Sequence, residues 1–269
     1  MNFWGNIWFL ITAAAIIGGG SIGSLGVYMV GMRLSFIGIV ISHAAMAGGV
    51  LAYLLGLPVF LTSLGTALLA ALVLGWLLNH EIHMESDVML GILFSLMMGL
   101  IFLGMGIVRD DMTPLLGLMW GSLLFVKAQD LAIMVFLSFI LVGFLLLFHK
   151  EMKSIVFSRT LGIVCGLPVN LVTIIFLVLS AGIITANLNM IGGLLIYSLL
   201  SCPAASAYTI GKNMRAILIL SSIFGMLSAG VGLAVSFGFD LPTGACITLT
   251  SVFIYGMALL WRKFNPGDG

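Results

Sequence analysis

His43 is the side chain in this sequence best suited to chemistry, because it is an ionisable group inside an uncharged apolar stretch, Ile41–Gly49. An ionisable residue at membrane depth is costly and usually faces a cavity or a partner. Imidazole is a good ligand for first-row transition metals, and Met46, three residues later, would lie on the same helix face. The spacing leaves a second interpretation open, a neutral histidine hydrogen-bonded between helices to a group such as a serine hydroxyl. A single imidazole does not bind a metal tightly, so a metal path through His43 and Met46 stays a hypothesis at this point.

The other short motifs do not support catalysis. His80–His83 resembles the zinc-protease pattern HExxH but is one residue short, so its histidines would not be four apart, and a solvated loop is the better interpretation. Gly211 and Lys212 superficially resemble a nucleotide-binding loop, but Asn213 stands where that motif requires Ser or Thr. The three cysteines are widely spaced and form no CxxC pair. We therefore predict that the chain is not an enzyme and binds neither ATP nor a resident cofactor.

The elements that must position His43 are membrane helices. Of 269 residues, 62% are hydrophobic and 7% charged, whereas about a quarter of the residues in a soluble domain are charged. About 20 apolar residues cross a bilayer, so we predict an all-α polytopic membrane protein with eight or nine transmembrane helices. The first segment is interpreted as a membrane helix rather than a cleaved signal. The nine hydrophobic segments are 7–31, 34–56, 58–78, 88–108, 131–148, 167–186, 190–208, 216–238 and 243–261.

One further apolar segment, Pro114–Val126, is too short to span and is predicted to be a re-entrant helix. The net charge of +1 gives no electrostatic support for a nucleic-acid partner.

The basic residues predict the orientation of the chain. With the N-terminus outside and an odd number of crossings, eight basic residues lie inside and two, Arg109 and Lys127, lie outside, as the positive-inside rule requires. The inside set is Arg33, Lys150, Lys153, Arg159, Lys212, Arg215, Arg262 and Lys263. We therefore predict a cytoplasmic C-terminus. The predicted outside loops are short, so soluble partners should meet the protein mostly on the cytoplasmic side.

Several stretches of the chain, in the same order, resemble the permease subunits of zinc, manganese and iron ABC importers. The stretches that carry the resemblance are Arg33–Ala44, Leu51–Gly56, Gly91–Ser95, Trp120–Val126, Ile191–Ala207 and Asp240–Gly244. The resemblance implies one transmembrane permease domain over residues 1–269, with a fold like that of the vitamin B12 and siderophore importers, called type II.

The resemblance also implies partners and a mechanism. The permease would be a homodimer in the bacterial plasma (inner) membrane, joined by two ATP-binding subunits on the cytoplasmic side and by an extracytoplasmic metal-binding protein. ATP-driven closure of those subunits would pass a divalent metal ion between two permease copies by alternating access. The segment Ala204–Met214 would be the coupling segment that docks on the ATPase, through Ala204, Ala205, Gly211 and Lys212; the plainer interpretation is a basic loop without docking.

Two positions depart from the family pattern. The family carries an aspartate four residues before the histidine, where this chain has Ile39, and a usually basic residue where it has Asn189. Loss of the carboxylate would favour softer or borderline ions over hard Mn²⁺. Two other hypotheses stay open: an ABC permease for a chelated metal or another solute, and a stand-alone secondary transporter, which would normally need more intramembrane charges than His43 alone.

Overall fold

The computed structural model describes residues 3–79, 86–108, 112–121 and 127–264, and these form twelve α-helices and no strand. The helices are α1 Phe3–Gly31, α2 Ser35–Leu55, α3 Val59–Asn79, α4 Ser86–Ile107, α5 Thr113–Trp120, α6 Ala128–Leu147, α7 His149–Phe157, α8 Arg159–Val164, α9 Val169–Ile191, α10 Ile196–Ile210, α11 Met214–Phe239 and α12 Thr243–Phe264. Within the described ranges, eight of them are long and apolar enough to cross a membrane: α1, α2, α3, α4, α6, α9, α11 and α12.

The predicted segment 190–208 is not one continuous spanning helix, which corrects the count of nine. Helix α9 continues to Ile191, and the chain then leaves helical geometry at Gly192, whose φ is +87°. Helix α10 has 15 residues, which at 1.5 Å per residue gives about 22 Å against a hydrocarbon core of about 30 Å. The break and the short helix together therefore cover the membrane path that hydropathy assigned to one helix.

Backbone contact between α1 and α11 forms the most extensive helix interface. A side chain at Gly19 or Gly23 of α1 would overlap the backbone of α11 near Gly225 and Ser221. The Ser221 hydroxyl donates a hydrogen bond across the interface to the carbonyl oxygen of Gly23 (2.6 Å). Small residues let membrane helices approach this closely, and the rows run antiparallel, since Ser221 meets Gly23 while Gly225 meets Gly19.

Contacts of α10 and α12 with α1 and α11 show which helix ends lie together. The Tyr208 hydroxyl, near the end of α10, donates to the carbonyl oxygen of Val27, near the end of α1 (2.9 Å). Helix α12 packs its first turns on the last turns of α11, where Gly232 leaves room for the backbone of Ile247. The ends of α1, α10 and α12 and the start of α11 therefore lie at the same end of the bundle.

All eight basic residues that the sequence analysis assigned to one side lie at this end, which we call the basic end. They occupy the turns after α1 and α10, the helices α7 and α8, the start of α11 and the last turn of α12. Lys127, at the start of α6, lies at the opposite end, which we call the far end; Arg109 lies outside the described residues. The chain directions thus reproduce the predicted separation of the basic residues.

Candidate functional site

The imidazole of His43 is buried in the middle of α2, with 4% of its surface exposed. Its Nδ1 lies 2.8 Å from the carbonyl oxygen of Ile39, one turn earlier. Because a carbonyl only accepts, Nδ1 carries the proton in the neutral ring, and Nε2 keeps its lone pair. The neighbouring Ser42 hydroxyl also donates to Ile39 (2.9 Å). These hydrogen bonds lie within α2, so the imidazole is not held by a hydroxyl of another described helix.

The ring of His43 faces helix α4. Phe94 of α4 meets it edge to face, with ring centroids 4.8 Å apart, and Phe36 of α2 contacts the same Phe94 at 5.9 Å. Such arrangements are the favoured geometry of aromatic pairs. Phe94 thus packs against the candidate metal ligand and connects it to Phe36.

Met46 contacts a different part of the protein. Its sulfur packs directly on Gly193, in the break between α9 and α10, and 1% of its surface is exposed. The contacts of Met46 and His43 therefore involve different neighbours, although three residues separate them. Ile39 is half-buried and supplies its carbonyl oxygen, not a carboxylate, to His43.

Asn189, the second position that departs from the family pattern, lines a cavity of about 600 Å³ at the far end. Lys127 and Asp130 at the start of α6 contribute the charged groups of this far-end cavity. The Asp130 carboxylate accepts a hydrogen bond from the backbone N–H of Lys127 (2.9 Å), which caps α6. The remaining lining residues are Gly49, Tyr53, Val59, Phe60, Thr113, Pro114, Leu115, Gly117 and Leu118.

Helix α5 forms one wall of the far-end cavity and is the described part of the predicted re-entrant segment. It follows α4 and precedes α6 at the far end, so it does not cross the membrane. Its last turn docks on the break after α9, where the Leu118 carbonyl accepts a hydrogen bond from the N–H of Gly193 (3.0 Å). Gly121 and Gly192 both have positive φ, and each leaves space for the other's backbone. Irregular backbone at membrane depth is tolerated when protein buries it in this way.

The predicted coupling segment consists of the last turns of α10 and a three-residue turn into α11. Ala204 is fully buried, whereas Ala205 is half-buried and Lys212 is exposed at the basic end. A side chain added at Gly211 would crowd Ile217 of α11 and the carbonyl oxygen of Ala207 on α10. Asn213, the residue that breaks the nucleotide-loop pattern, caps α11 by accepting a hydrogen bond from a backbone amide (2.8 Å).

No group of three or more His, Cys, Asp or Glu side chains comes together among the described residues. The histidine motif His80–His83 lies outside the described residues. His43, Met46 and Asn189 are therefore distributed over three neighbouring environments. The sequence alone did not identify Phe94, Lys127 or Asp130 as residues of a candidate site. Phe94 does lie inside the family-like stretch Gly91–Ser95.

The described part of the chain, with eight helices long and apolar enough to cross a membrane and a broken helix pair between them, is that of a multi-pass membrane protein. Residues 6–262 match the model of the ABC 3 transport family, and the chain belongs to that family.

Similar proteins carry manganese transport in their names. The chain is 28% identical to the manganese transport system membrane protein MntC of Listeria monocytogenes, over 92% of this chain and 86% of that protein. It is 29% identical to the manganese import system permease protein ScaB of Streptococcus gordonii, over 91% and 87%.

Solved structures share the fold. PsaBC from Streptococcus pneumoniae in complex with Fab matches with a TM-score of 0.82 and 26% identity, covering 94% of this chain and 90% of that one. A chain described as an inward-facing metal-chelate type ABC transporter has a TM-score of 0.74 at 17% identity, covering 93% and 84%, which supports the fold alone. The predicted all-helical fold of the type II importer kind is confirmed, as is the predicted family.

Proposed function

We propose that this chain is the permease subunit of an importer that moves a free divalent transition-metal ion, such as manganese, zinc or iron, into the cytoplasm. The observation that carries the proposal is the imidazole of His43, held in the middle of α2 with its Nε2 lone pair available. Metal-binding histidines commonly donate their other ring N–H to a carboxylate or a backbone carbonyl, which fixes the tautomer and the ring orientation. In this chain the backbone carbonyl of Ile39 accepts that N–H, and Ile39 is the position at which the family pattern has an aspartate.

The ion preference follows from the ligands that remain. A nitrogen ligand suits zinc, iron and other first-row ions, whereas a carboxylate favours hard Mn²⁺. The relatives named for manganese transport support manganese as one substrate. With Ile39 in place of the acid, we expect the selectivity to shift from Mn²⁺ towards Zn²⁺ or Fe²⁺.

The arrangement of the chain supports alternating access with separate ATPase partners. Applying the positive-inside rule, the basic end would be cytoplasmic and the far-end cavity would open outward. Helix α10 connects the exposed Lys212 turn at the basic end to the break at Gly193, on which Met46 of α2 and the end of α5 pack. A movement of α10 driven by ATPase subunits at the basic end would therefore reach the floor of the outward cavity. Two permease copies, two ATPase subunits and an external metal-binding protein complete the proposed importer in a bacterial plasma membrane.

Uptake of radiolabelled Mn²⁺, Zn²⁺ and Fe²⁺ tests the proposal, in cells that express the complete importer with a wild-type or variant permease. We expect His43→Ala to abolish ATP-dependent accumulation of the transported ion. The matched control is His149→Ala at the basic end, where α7 begins outside the spans, and it should retain uptake. Unchanged free-metal uptake in His43→Ala would remove His43 from the path, and uptake of a chelate but of no free ion would reject the proposed substrate.

A further inference from the structure

Helices α1, α11, α12 and α10 pack on one another in a closed cycle, which we call the four-helix unit. Three of its four contacts bring backbones together at glycine. Besides the α1–α11 interface described above, Gly232 of α11 leaves room for the backbone of Ile247 on α12, and a side chain at Gly26 of α1 would overlap the Leu200 carbonyl oxygen of α10. Since close packing holds membrane helices together, these three contacts resist relative movement.

The fourth contact, between α10 and α12, contains a hydrogen bond between two side chains. The hydroxyl oxygens of Ser198 on α10 and Ser251 on α12 lie 2.7 Å apart. Ser251 is fully buried, and its hydroxyl donates to the Thr248 carbonyl oxygen of its own helix (2.8 Å). Because a hydroxyl has one proton, Ser251 is left to accept from Ser198. This bond closes the cycle.

Pro203 divides α10 into an outer segment before it, towards the break, and an inner segment after it, towards the basic end. Proline has no N–H to donate to the carbonyl one turn earlier, so the helix is weakened at this point. The inner segment is tied to α1 by the hydrogen bond from Tyr208 to Val27. The outer segment is tied to α12 by the hydrogen bond of Ser198. A displacement that enters α10 at the basic end therefore has a direct connection to α12 beyond the proline.

The start of α12 leads from this connection to the far-end cavity. A side chain at Gly244, in the first turn of α12, would overlap the carbonyl oxygens of Ile191 at the end of α9 and of Trp120 at the end of α5. Helix α5 forms a wall of the far-end cavity. A displacement of α12 would therefore reach that wall.

We infer that Ser198 and Ser251 are positioning residues of the transport movement: their hydrogen bond makes the four-helix unit one rigid body that moves against the rest of the permease. This inference rests on the proposed function, in which ATPase subunits displace α10 at the basic end. Both residues act through the helices that they join, and neither needs to contact the ion.

A double-mutant cycle measures the contribution of the pair. Ser198→Ala, Ser251→Ala and the double variant are reconstituted with the ATPase subunits, and the uptake of radiolabelled Zn²⁺ per ATP hydrolysed is compared with wild type. A hydrogen bond between membrane helices corresponds to about a threefold change in an equilibrium. We therefore expect each single variant to lower the ratio about threefold and the double variant to lower it no further. Ser198→Thr keeps the hydroxyl and should retain the wild-type ratio.

The matched control is Thr250→Ala on α12. It removes a hydroxyl that donates to the Cys246 carbonyl oxygen of the same helix (2.8 Å), and it should leave the ratio unchanged. An unchanged ratio in both serine variants, an equal loss in the Thr250 variant, or losses that add in the double variant would overturn the inference.

A disulfide tests the rigid body without reference to the ion that is carried. In a permease with Cys165, Cys202 and Cys246 replaced by serine, Ser198→Cys and Ser251→Cys place two thiols where the hydroxyls now touch. If the two helices move together throughout the cycle, the oxidised importer should hydrolyse ATP at least as fast as the reduced one. Hydrolysis that stops on oxidation and returns with a reductant would show that the helices must separate, and would overturn the inference.

The outcomes also distinguish this inference from the proposed function. An importer that hydrolyses ATP after oxidation but takes up no free metal would leave the rigid body standing and reject the proposed substrate. Metal uptake that depends on His43, in a protein that the disulfide inactivates, would do the reverse.

Discussion

The interface between α1 and α11 and the interface between α2 and α4 are built in opposite ways. In the first, glycine and serine bring two backbones into contact, and 72% of the spanning stretch of α1 is buried. In the second, the Phe94 ring of α4 packs against His43 of α2, a cavity of about 390 Å³ separates α2, α3 and α4 further along, and only 17% of the spanning stretch of α4 is buried. Membrane helices gain little from hydrophobicity against each other, so close packing decides which pairs are rigid. The difference shows that close backbone contact fixes α1 on α11, whereas α4 rests on α2 through side chains alone.

Placing a large side chain in the rigid interface is expected to have the largest effect. Gly225→Leu would force its side chain into the backbone of Gly19, and overpacking of this kind costs about 3 kcal/mol or more. We expect loss of folded protein, measured by size-exclusion chromatography of detergent extracts. The matched control is Gly99→Leu on α4, where nothing lies within 4 Å of an added Cβ, and it should leave the yield unchanged. Equal losses in both variants would contradict the contrast between the interfaces.

Reversing the charge of the turn between α10 and α11 tests whether this turn, which leads into the rigid α1–α11 interface, couples the permease to its ATPase. Lys212→Glu should lower transport-coupled ATP hydrolysis of the reconstituted importer about tenfold, within the usual range of coupling free energies. Lys263→Glu, at the same end but on the last turn of α12, is the control and should retain coupling. Gly211 is a poorer test, because a side chain there would disturb α11 itself. Full coupling in the Lys212 variant would favour a plain basic loop.

Deleting one hydroxyl measures how much a single contact adds to the rigid interface. Ser221→Ala removes the hydrogen bond to Gly23 on α1, and hydrogen bonds between membrane helices contribute about 0.6 kcal/mol on average. We expect a small fall in the thermal unfolding midpoint in lipid nanodiscs. Ser222→Ala removes a hydroxyl that bonds only within α11 and should have a smaller effect. If Ser222→Ala lowered the midpoint more, the interface would not depend on that hydroxyl.

The smallest effect is expected at the far-end cavity, where the capping hydrogen bond of α6 is exposed. Asp130→Ala removes the acceptor that caps α6 and should cost about 0.5 kcal/mol, whereas Asp130→Asn keeps an oxygen for the Lys127 amide. Thermal unfolding of the two variants checks this order. An asparagine variant as unstable as the alanine one would mean that the charge, and not the cap, stabilises this turn.

The spans could be predicted from the sequence because an uncharged stretch of about 20 residues has few other uses. The break at Gly192 could not, because Ile191–Leu195 carries no charge, and hydropathy cannot distinguish a helix break buried by protein from a continuous helix. The short helix α5 was predicted from its length alone.

Of the candidate site, the sequence predicts the central residue but not its neighbours. His43 was identifiable because ionisable residues at membrane depth are rare. Its neighbours were not, because helical spacing predicts which residues share a face but not which helix that face meets. Met46 and His43 therefore looked like a pair in sequence, yet one contacts Gly193 and the other Phe94.

Anomalous diffraction from crystals of the complete importer soaked with Zn²⁺, one of the ions that the remaining nitrogen ligand favours, tests the central claim most directly, since it locates the ion without relying on a variant. We expect an anomalous peak about 2.0–2.1 Å from Nε2 of His43, the usual distance from zinc to an imidazole nitrogen. Peaks confined to the far-end cavity or the basic end, with none at His43 in any trapped state, would contradict it.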